Sequence, residues 1–518
     1  MKRVKILWTD DEIEILKPHI LFLNEKGYDV DTCTNGTDTI DLVTQNSYDV
    51  IFLDEHMPGM TGIDTLKIIK ELKPDTPVVM ITKSEEEMIM EAAIGSKIAD
   101  YLIKPVKPNQ ILLSLKKIVE GQSLVTKKTT SDYQAEFGKI RILIDSANSY
   151  KDWEEIYKKL VYWDLQLDTA DESGLREIYR MQEQEANSLF SKFISGNYLN
   201  WFNDSFVEKP LISPSIFKTT LFPLLKNSEK VIFILIDNLR YDQWKIIQSE
   251  ITHLLKVVNE SLYYSILPTA TQYSRNAIFS GQMPLDIEKS TPEYWIWDDE
   301  EEGKNMFEKE LIEKQLSRNF IKCKWDYYKI SNNTAGKKIY ENILSILNND
   351  LTVLVYNFID LISHARTDIG LIRDIASDES AYRSLTRSWF IHSPLMELFR
   401  RLPGKDVKIV ITTDHGAIRV NNPIKVVGDK KTSSNLRYKH GRNLAFDEKD
   451  LFSIPQPQLA KLPTSNLSSK YIFARSNDFL VYPNNYNHFA NYYRNTFQHG
   501  GISMQEMIIP LITLKPVI

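Results

Sequence analysis

At 518 residues, with a quarter of them charged and a formal net charge of −6, the chain is long enough for roughly three or four separately cored domains and has no global basic excess to hold nucleic acid. Its two cysteines, Cys33 and Cys323, exclude a disulfide framework and a thiolate zinc site. No uninterrupted apolar run approaches the ~18 residues of a membrane span, and the opening residues turn acidic before a secretory apolar stretch forms, so a cytoplasmic protein without a membrane partner is expected.

Strands and helices alternate through the first 120 residues. Val4 to Trp8, Asp49 to Leu53 and Pro77 to Ile81 are apolar runs of strand length, and Ile13, Leu16, Ile20 and Leu23 share one helical face. Five βα units predict a doubly wound parallel sheet. Polar residues fall where the apolar runs stop: Asp10 and Asp11, then Asp54, Thr82 and Lys104. Ligands bind beyond the carboxyl ends of such strands, so these side chains are expected in one crevice. Three carboxylates there repel one another unless a cation lies among them, and Mg²⁺ suits oxygen ligands. Asp54 can then attack a phosphoryl group while Lys104 and Thr82 hold the transferred oxygens.

This pattern resembles the receiver domain of two-component response regulators, through Asp10-Asp11, Asp54-Glu-His-Met-Pro58 with Gly62, Thr82, and Lys104-Pro105 preceded by Tyr101. The resemblance implies that Asp54 is the phosphoacceptor and that Asp11, Asp54 and the carbonyl of His56 bind Mg²⁺. It also implies that Thr82 and Tyr101 relay the switch.

Gly121 to Thr130 is polar, lacks helical periodicity and predicts a linker. Three amphipathic helices follow, about Asp132 to Ser146, Lys151 to Leu165 and Glu172 to Asn203, and short connections predict a three-helix bundle. Residues 123–210 hold 11 Lys and Arg against 15 Asp and Glu, a balance of 11 − 15 = −4, the wrong sign for contacting phosphates. No direct DNA-binding domain is expected. The domains are therefore 1–122, a 123–208 connector and 209–518.

The last domain reads as a second α/β fold. Val231-Ile-Phe-Ile-Leu-Ile236 predicts a strand buried on both faces and ending in Asp237. Pro268-Thr-Ala-Thr271 precedes a helix that holds Arg275, and either Thr269 or Thr271 would sit at a helix N-terminus, where anions are stabilised. Leu351 to Phe358 is a further buried strand, followed by Asp360 and His364, whose spacing puts them on one helical face. Val407 to Thr413 delivers Asp414 and His415 into a glycine turn, and His499 precedes Gly500-Gly501. Six nitrogen and oxygen ligands plus a hydroxyl are too many for one tetrahedral zinc and suit two.

Order and spacing resemble the PglZ branch of the alkaline phosphatase superfamily over residues 210–518, and the whole chain is similar to PorX-type response regulators. The resemblance implies one Zn²⁺ on Asp360, His364 and His499. The other would be on Asp237, Asp414, His415 and the nucleophile, which maps to Thr271 with Thr269 as the alternative. Lys425 to Asn443 has six cations against Asp429, a balance of 6 − 1 = +5. Lys439 and Arg442 in this island, together with Arg275, are candidate contacts for an oligonucleotide substrate, although a solvated mobile loop and a surface arginine fit the same residues. Tyr294-Trp-Ile-Trp297 predicts a surface insertion anchored by its tryptophans.

The expected function is a phosphorylation-controlled, zinc-dependent phosphodiesterase acting on linear or cyclic oligonucleotides. The alternatives are a phosphomonoesterase, or a signalling scaffold with a structural zinc site that binds a sigma factor. Resemblance to PorX-type proteins implies a sensor histidine kinase, homodimerisation on phosphorylation, an alternative sigma factor as partner, and control of type IX secretion.

Overall fold

A computed structural model describes residues 4–83, 98–168, 173–203, 205, 208–297, 305–361, 378–429, 432–464, 466 and 468–517, with the side chains of 120–128 and 173 left aside. The chain divides into two compact units, one of Met1–Gln134 and one of Ala135–Asp168 with Ser173–Ile518.

The first unit has five strands, β1 (Lys5–Thr9), β2 (Asp29–Cys33), β3 (Val50–Asp54), β4 (Val78–Thr82) and β5 (Asp100–Ile103), in the order β2-β1-β3-β4-β5. All neighbours are parallel. The strand order reverses between β1 and β3, which opens a crevice beyond their carboxyl ends. Helices α1 (Lys17–Glu25), α2 (Gly36–Gln45), α3 (Gly62–Leu72) and α4 (Pro108–Leu115) complete the described part. One side of the sheet packs Ile6, Trp8, Phe52 and Val79 against α1 and α4, and the other packs Leu7, Ile51, Leu53 and Val78 against α2 and α3. Alternating residues of buried strands thus feed two cores.

The linker expected at Gly121–Thr130 is instead helical backbone, since α5 runs from Gly121 to Ser146. The run lacks apolar periodicity, but Gln, Lys and Leu have good helix propensity and no proline interrupts it. Two further helices, α6 (Tyr150–Asp168) and α7 (Ser173–Asn197), follow. The predicted apolar face of α6 is buried through Trp153, Ile156, Tyr157 and Leu160, and Trp153 meets Phe190 of α7 edge-on at 5.5 Å.

The second unit is built on a six-stranded sheet. Its strands are β6 (Val231–Ile236), β7 (Leu255–Tyr264), β8 (Trp325–Ile330), β9 (Leu351–Tyr356), β10 (Lys408–Thr412) and the C-terminal strand Ile508–Pro516. The order is β7, C-terminal strand, β10, β6, β9, β8. Strands β10, β6, β9 and β8 are parallel, and the C-terminal strand is antiparallel to β10 and β7. Every residue of β6 and β9 is buried, as their unbroken apolar sequences demand. Register pairs Leu235 with Thr412 and Ile236 with Tyr356, so three neighbouring strands end together. The helices α8 (Tyr241–Ile251), α9 (Thr271–Ser280) and α10 (Glu379–Ile391) flank this end. Among the described residues no helix is long and apolar enough to cross a membrane.

Helices α6 and α7 are built into the second unit. Asn187 donates to Gln505 Oε1 at 3.0 Å and accepts from the Met504 amide at 2.9 Å, and the Tyr264 hydroxyl donates to the Tyr150 carbonyl at 2.9 Å.

Candidate metal centre and receiver site

In the receiver crevice Asp10, Asp11 and Asp54 offer carboxylate oxygens within 4.8 Å of one another. Lys104 reaches Asp54 at 2.7 Å and Asp10 at 2.8 Å. Burial raises the Asp54 carboxyl, as do Asp10 and Asp11, while Lys104 opposes the shift. A divalent cation fits this set because it relieves the repulsion that burial amplifies. Thr82 ends β4 and is buried, Tyr101 is 40% exposed on β5, and His56 is exposed beside Asp54. A Cβ at Gly62 would lie 2.1 Å from the Asp54 carbonyl, so only glycine lets α3 start so close to the end of β3.

The second site lies at the carboxyl ends of β9, β6 and β10, where Asp360, Asp237 and Asp414 leave adjacent parallel strands. Asp237, Asp414 and His415 are buried and present ligand atoms within 4.8 Å. His415 Nδ1 lies 3.1 Å from the Gly416 carbonyl, which only accepts, so the proton sits on Nδ1 and Nε2 keeps its lone pair. That Nε2 is 3.1 Å from Thr271 Oγ1 and 3.8 Å from Asp237 Oδ1. The same device orients His499. Its Nδ1 donates to the Thr269 carbonyl at 3.1 Å, and its Nε2 is 3.7 Å from Asp360 Oδ1. The two imidazoles stack at 4.2 Å. Backbone-fixed tautomers of this kind are what metal-ligating histidines need.

Asp237 Oδ1 is buried with no hydrogen-bond donor. Burial pushes the Asp237 carboxyl well above its ordinary range and Asp414 and Asp360 add to this, with Arg275 opposing. Burial acts on Asp414 too, but the Arg275 guanidinium holds it below the usual range. An orphaned carboxylate oxygen facing imidazole nitrogen and a hydroxyl fits a divalent ion that accepts mixed nitrogen and oxygen ligands, as Zn²⁺ does. His364 lies outside the described residues.

Thr271 is the first residue of α9 and Ala270 is the N-cap, so the Thr271 hydroxyl is not used in capping. Thr269 is fully buried. Its hydroxyl donates to the Gly501 carbonyl at 3.0 Å and accepts from the Gly500 amide at 3.0 Å, which fixes the loop that carries His499.

Sequence reasoning missed Asn238. Its φ is +63°, its side-chain amide donates to Asp360 Oδ1 at 3.3 Å, and its backbone amide points at Asp414 Oδ1 at 3.4 Å. The signal was there, since asparagine after a strand-ending aspartate is the side chain that best tolerates the left-handed region.

Arg275 is not a surface residue. It is fully buried, ion-paired with Asp237, 2.9 Å from Asp414 and 3.3 Å from Glu308. Its nitrogens brace the carboxylates from behind, so the substrate contact weighed for it gives way to a positioning role. The basic island is likewise not one solvated loop. Arg437 is fully buried against Glu506 at 2.6 Å, and Lys439 is 1% exposed within the strand Tyr438–Gly441. Arg442 is partnered by Asn466, and Lys430 and Lys431 lie outside the described residues. Trp295 anchors its insertion by packing on Tyr273 of α9 at 5.5 Å.

A second charge network joins this site to the bundle. Arg383 of α10 binds Asp164 and Asp168 of α6 and Asp242 of α8, and Asp242 is shared with Arg240.

Three family models match the chain: a BREX system PglZ alkaline phosphatase-like domain at residues 216–514, a PorX response regulator linker domain at 123–202, and a response regulator receiver domain at 6–116. The transcriptional regulatory protein ResD of Bacillus subtilis is 34% identical over 119 residues, 23% of this chain and 49% of ResD, so the chain spans about half of that relative. SrrA of Staphylococcus aureus is 27% identical over 167 residues, 30% of this chain and 69% of SrrA. Among solved structures, the chemotaxis protein CheY4 of Vibrio cholerae is 27% identical and covers 23% of this chain and 99% of its own, with a TM-score of 0.22. A receiver domain protein from Clostridium thermocellum is 29% identical over 23% of this chain and 98% of its own, also with a TM-score of 0.22.

Proposed function

The chain belongs to the PglZ alkaline phosphatase-like family, carrying a response-regulator receiver domain and a PorX-type linker, and from that premise we propose that it is a phosphorylation-controlled phosphodiesterase dependent on two Zn²⁺. One ion is held by Asp360, His364 and His499. The other is held by Asp237, Asp414, His415 and Thr271. When bound, the pair supplies Lewis acidity to a phosphoryl oxygen and lowers the pKa of a coordinated hydroxyl.

Thr271 is the nucleophile: its oxygen bonds to phosphorus as one ester P–O bond breaks and that substituent leaves as an alcohol, and water then hydrolyses the phosphothreonine, releasing the phosphomonoester and restoring the Thr271 hydroxyl. The observation that carries this reading is the 3.1 Å approach of Thr271 Oγ1 to a His415 Nε2 whose lone pair is fixed toward it. The hydroxyl stands in the first turn of α9, where the helix dipole stabilises a developing oxyanion. Thr269, Asn238 and Arg275 are positioning residues for His499, Asp360 and the Asp237–Asp414 pair.

A diester is favoured over a dianionic monoester. Arg275 and Arg437, two cations near the nucleophile and its loops, are neutralised by carboxylates, which leaves less positive charge for a second phosphoryl anion. Linear or cyclic oligonucleotides are the proposed substrates. A sensor histidine kinase phosphorylates Asp54, the phosphorylated receiver homodimerises, and the output acts on type IX secretion with an alternative sigma factor, in the cytoplasm.

The deciding experiment measures bound zinc together with cleavage of bis(p-nitrophenyl) phosphate and of linear and cyclic oligonucleotides, for wild type, Asp237→Asn and Thr271→Ala. About two zincs and Thr271-dependent cleavage are expected, with one zinc fewer in Asp237→Asn. Wild-type protein that holds two zincs and cleaves no diester would return the domain to a binding scaffold.

A further inference from the structure

Lys439 lines a cavity of about 580 Å³ on the opposite face of its strand from the metal centre. Tyr438 and His440 point one way. Tyr438 meets Tyr273 of α9 at 5.8 Å, and His440 stacks on Tyr471, which itself meets Tyr273. Alternation along the strand sends Lys439 the other way.

The Lys439 ammonium is buried with little to compensate it. Nζ donates to the Ser433 carbonyl at 2.9 Å and stands 4.5 Å from the centre of the Tyr482 ring. No carboxylate pairs with it among the described residues. An ammonium has three donors, and a buried charge with one acceptor is expensive to keep unless an anion completes it. Burial alone pushes this amine down to about 7. Much of the remaining lining is apolar or aromatic, including Leu436, Leu480, Phe489 and Tyr493, and Asp429, Thr432, Ser434 and Asn484 are its polar members. The volume falls in the ordinary range for small-molecule sites, an apolar chamber with few oriented polar groups.

We propose that this cavity is a second ligand site, which takes a small organic anion with one acidic group on an aromatic or aliphatic body. The acidic group meets Lys439, and the body lies along Leu436, Leu480, Phe489 and Tyr493. Among the described residues Lys439 is the one cation on the lining, and Asp429 is there too, a balance that suits a ligand with one acidic group better than a polyanion. The inference does not rest on the reaction assigned to Thr271.

An anilinonaphthalene sulfonate, one acidic group on an aromatic body, serves as the probe, titrated by fluorescence into the full-length protein. Saturable binding is expected, weakened about tenfold or more in Lys439→Met. Independently of any variant, the saturating probe should protect Lys439, and not exposed Lys449, from reductive methylation read by mass spectrometry. Undiminished binding by a folded Lys439→Met protein, or no protection of Lys439 in wild type, would overturn the assignment.

Discussion

Arg383 donates through Nε to Asp168 Oδ2 at 3.1 Å, and by this contact α10 of the phosphatase-like fold is tied to α6 of the bundle. The same guanidinium binds Asp164 and Asp242, so one cation holds three buried or half-buried carboxylates. Arg383→Met takes the arginine from buried Asp164 and leaves Asp242 with Arg240 and Asp168 with Arg176. It should destabilise the second unit by about 3–5 kcal/mol, seen as a lower urea midpoint, and Asp164→Asn, which lightens the anionic load, should do less harm.

The two threonines separate chemistry from support. Thr271→Ala is expected to lower diester cleavage by at least about a thousandfold while zinc content stays near wild type. Thr269→Val removes both hydrogen bonds that fix Gly500 and Gly501. It should retain cleavage but lose on the order of tenfold or more in zinc affinity, as measured by competition with a chelator. The reverse pattern would make Thr269 the nucleophile.

Much of this was legible in the chain because both sites obey one rule, a buried strand that ends in a polar side chain. Asp54, Asp237 and Asp414 were readable for that reason. Arg275 and Lys439 were not, because a cation's burial depends on which carboxylates or cavities arrive from distant segments. Arg275 meets Asp237, Glu308 and Asp414, contributed by three separate stretches. Asn238 acts through a left-handed backbone and contacts to Asp360 and Asp414, which arrive from distant segments. The helix through Gly121–Thr130 was obscured because apolar periodicity, the strongest sequence signal, is absent from that stretch of the sequence.

Glu154 on α6 sets a pH dependence. Burial, against Lys158 and Lys151, pushes its carboxyl up to about 7. Its folded value therefore exceeds the unfolded one, so its contribution to stability is full in acid and is lost as pH rises through about 7. Glu154→Gln should be nearly neutral at about pH 4.5 and stabilising at about pH 8 by on the order of 1–2 kcal/mol, discounted for partial exposure. Thermal melts across that range would show the two proteins diverging upward in pH.

For the receiver, Lys104 bridges Asp10 and Asp54, so Asp54→Asn removes the acceptor and one arm of the bridge. With beryllofluoride and Mg²⁺, wild type should sediment as a dimer and Asp54→Asn should remain at its untreated value. Equal sedimentation of treated and untreated wild type would remove the dimerisation step.

The order of strands has a biosynthetic consequence. The site needs β6, β9 and β10 side by side, and β10 is flanked by a strand contributed by Ile508–Pro516, which also reaches back to β7. Of the proposed histidine ligands, His415 follows β10 and His499 stands between β10 and that strand. A ribosome-bound fragment that has emitted β6, the threonine turn and β9 still lacks the imidazoles and the flanking strand. Such a nascent chain presents scattered carboxylates but no closed set of the proposed ligands, so assembly of the site waits for completion of the sheet.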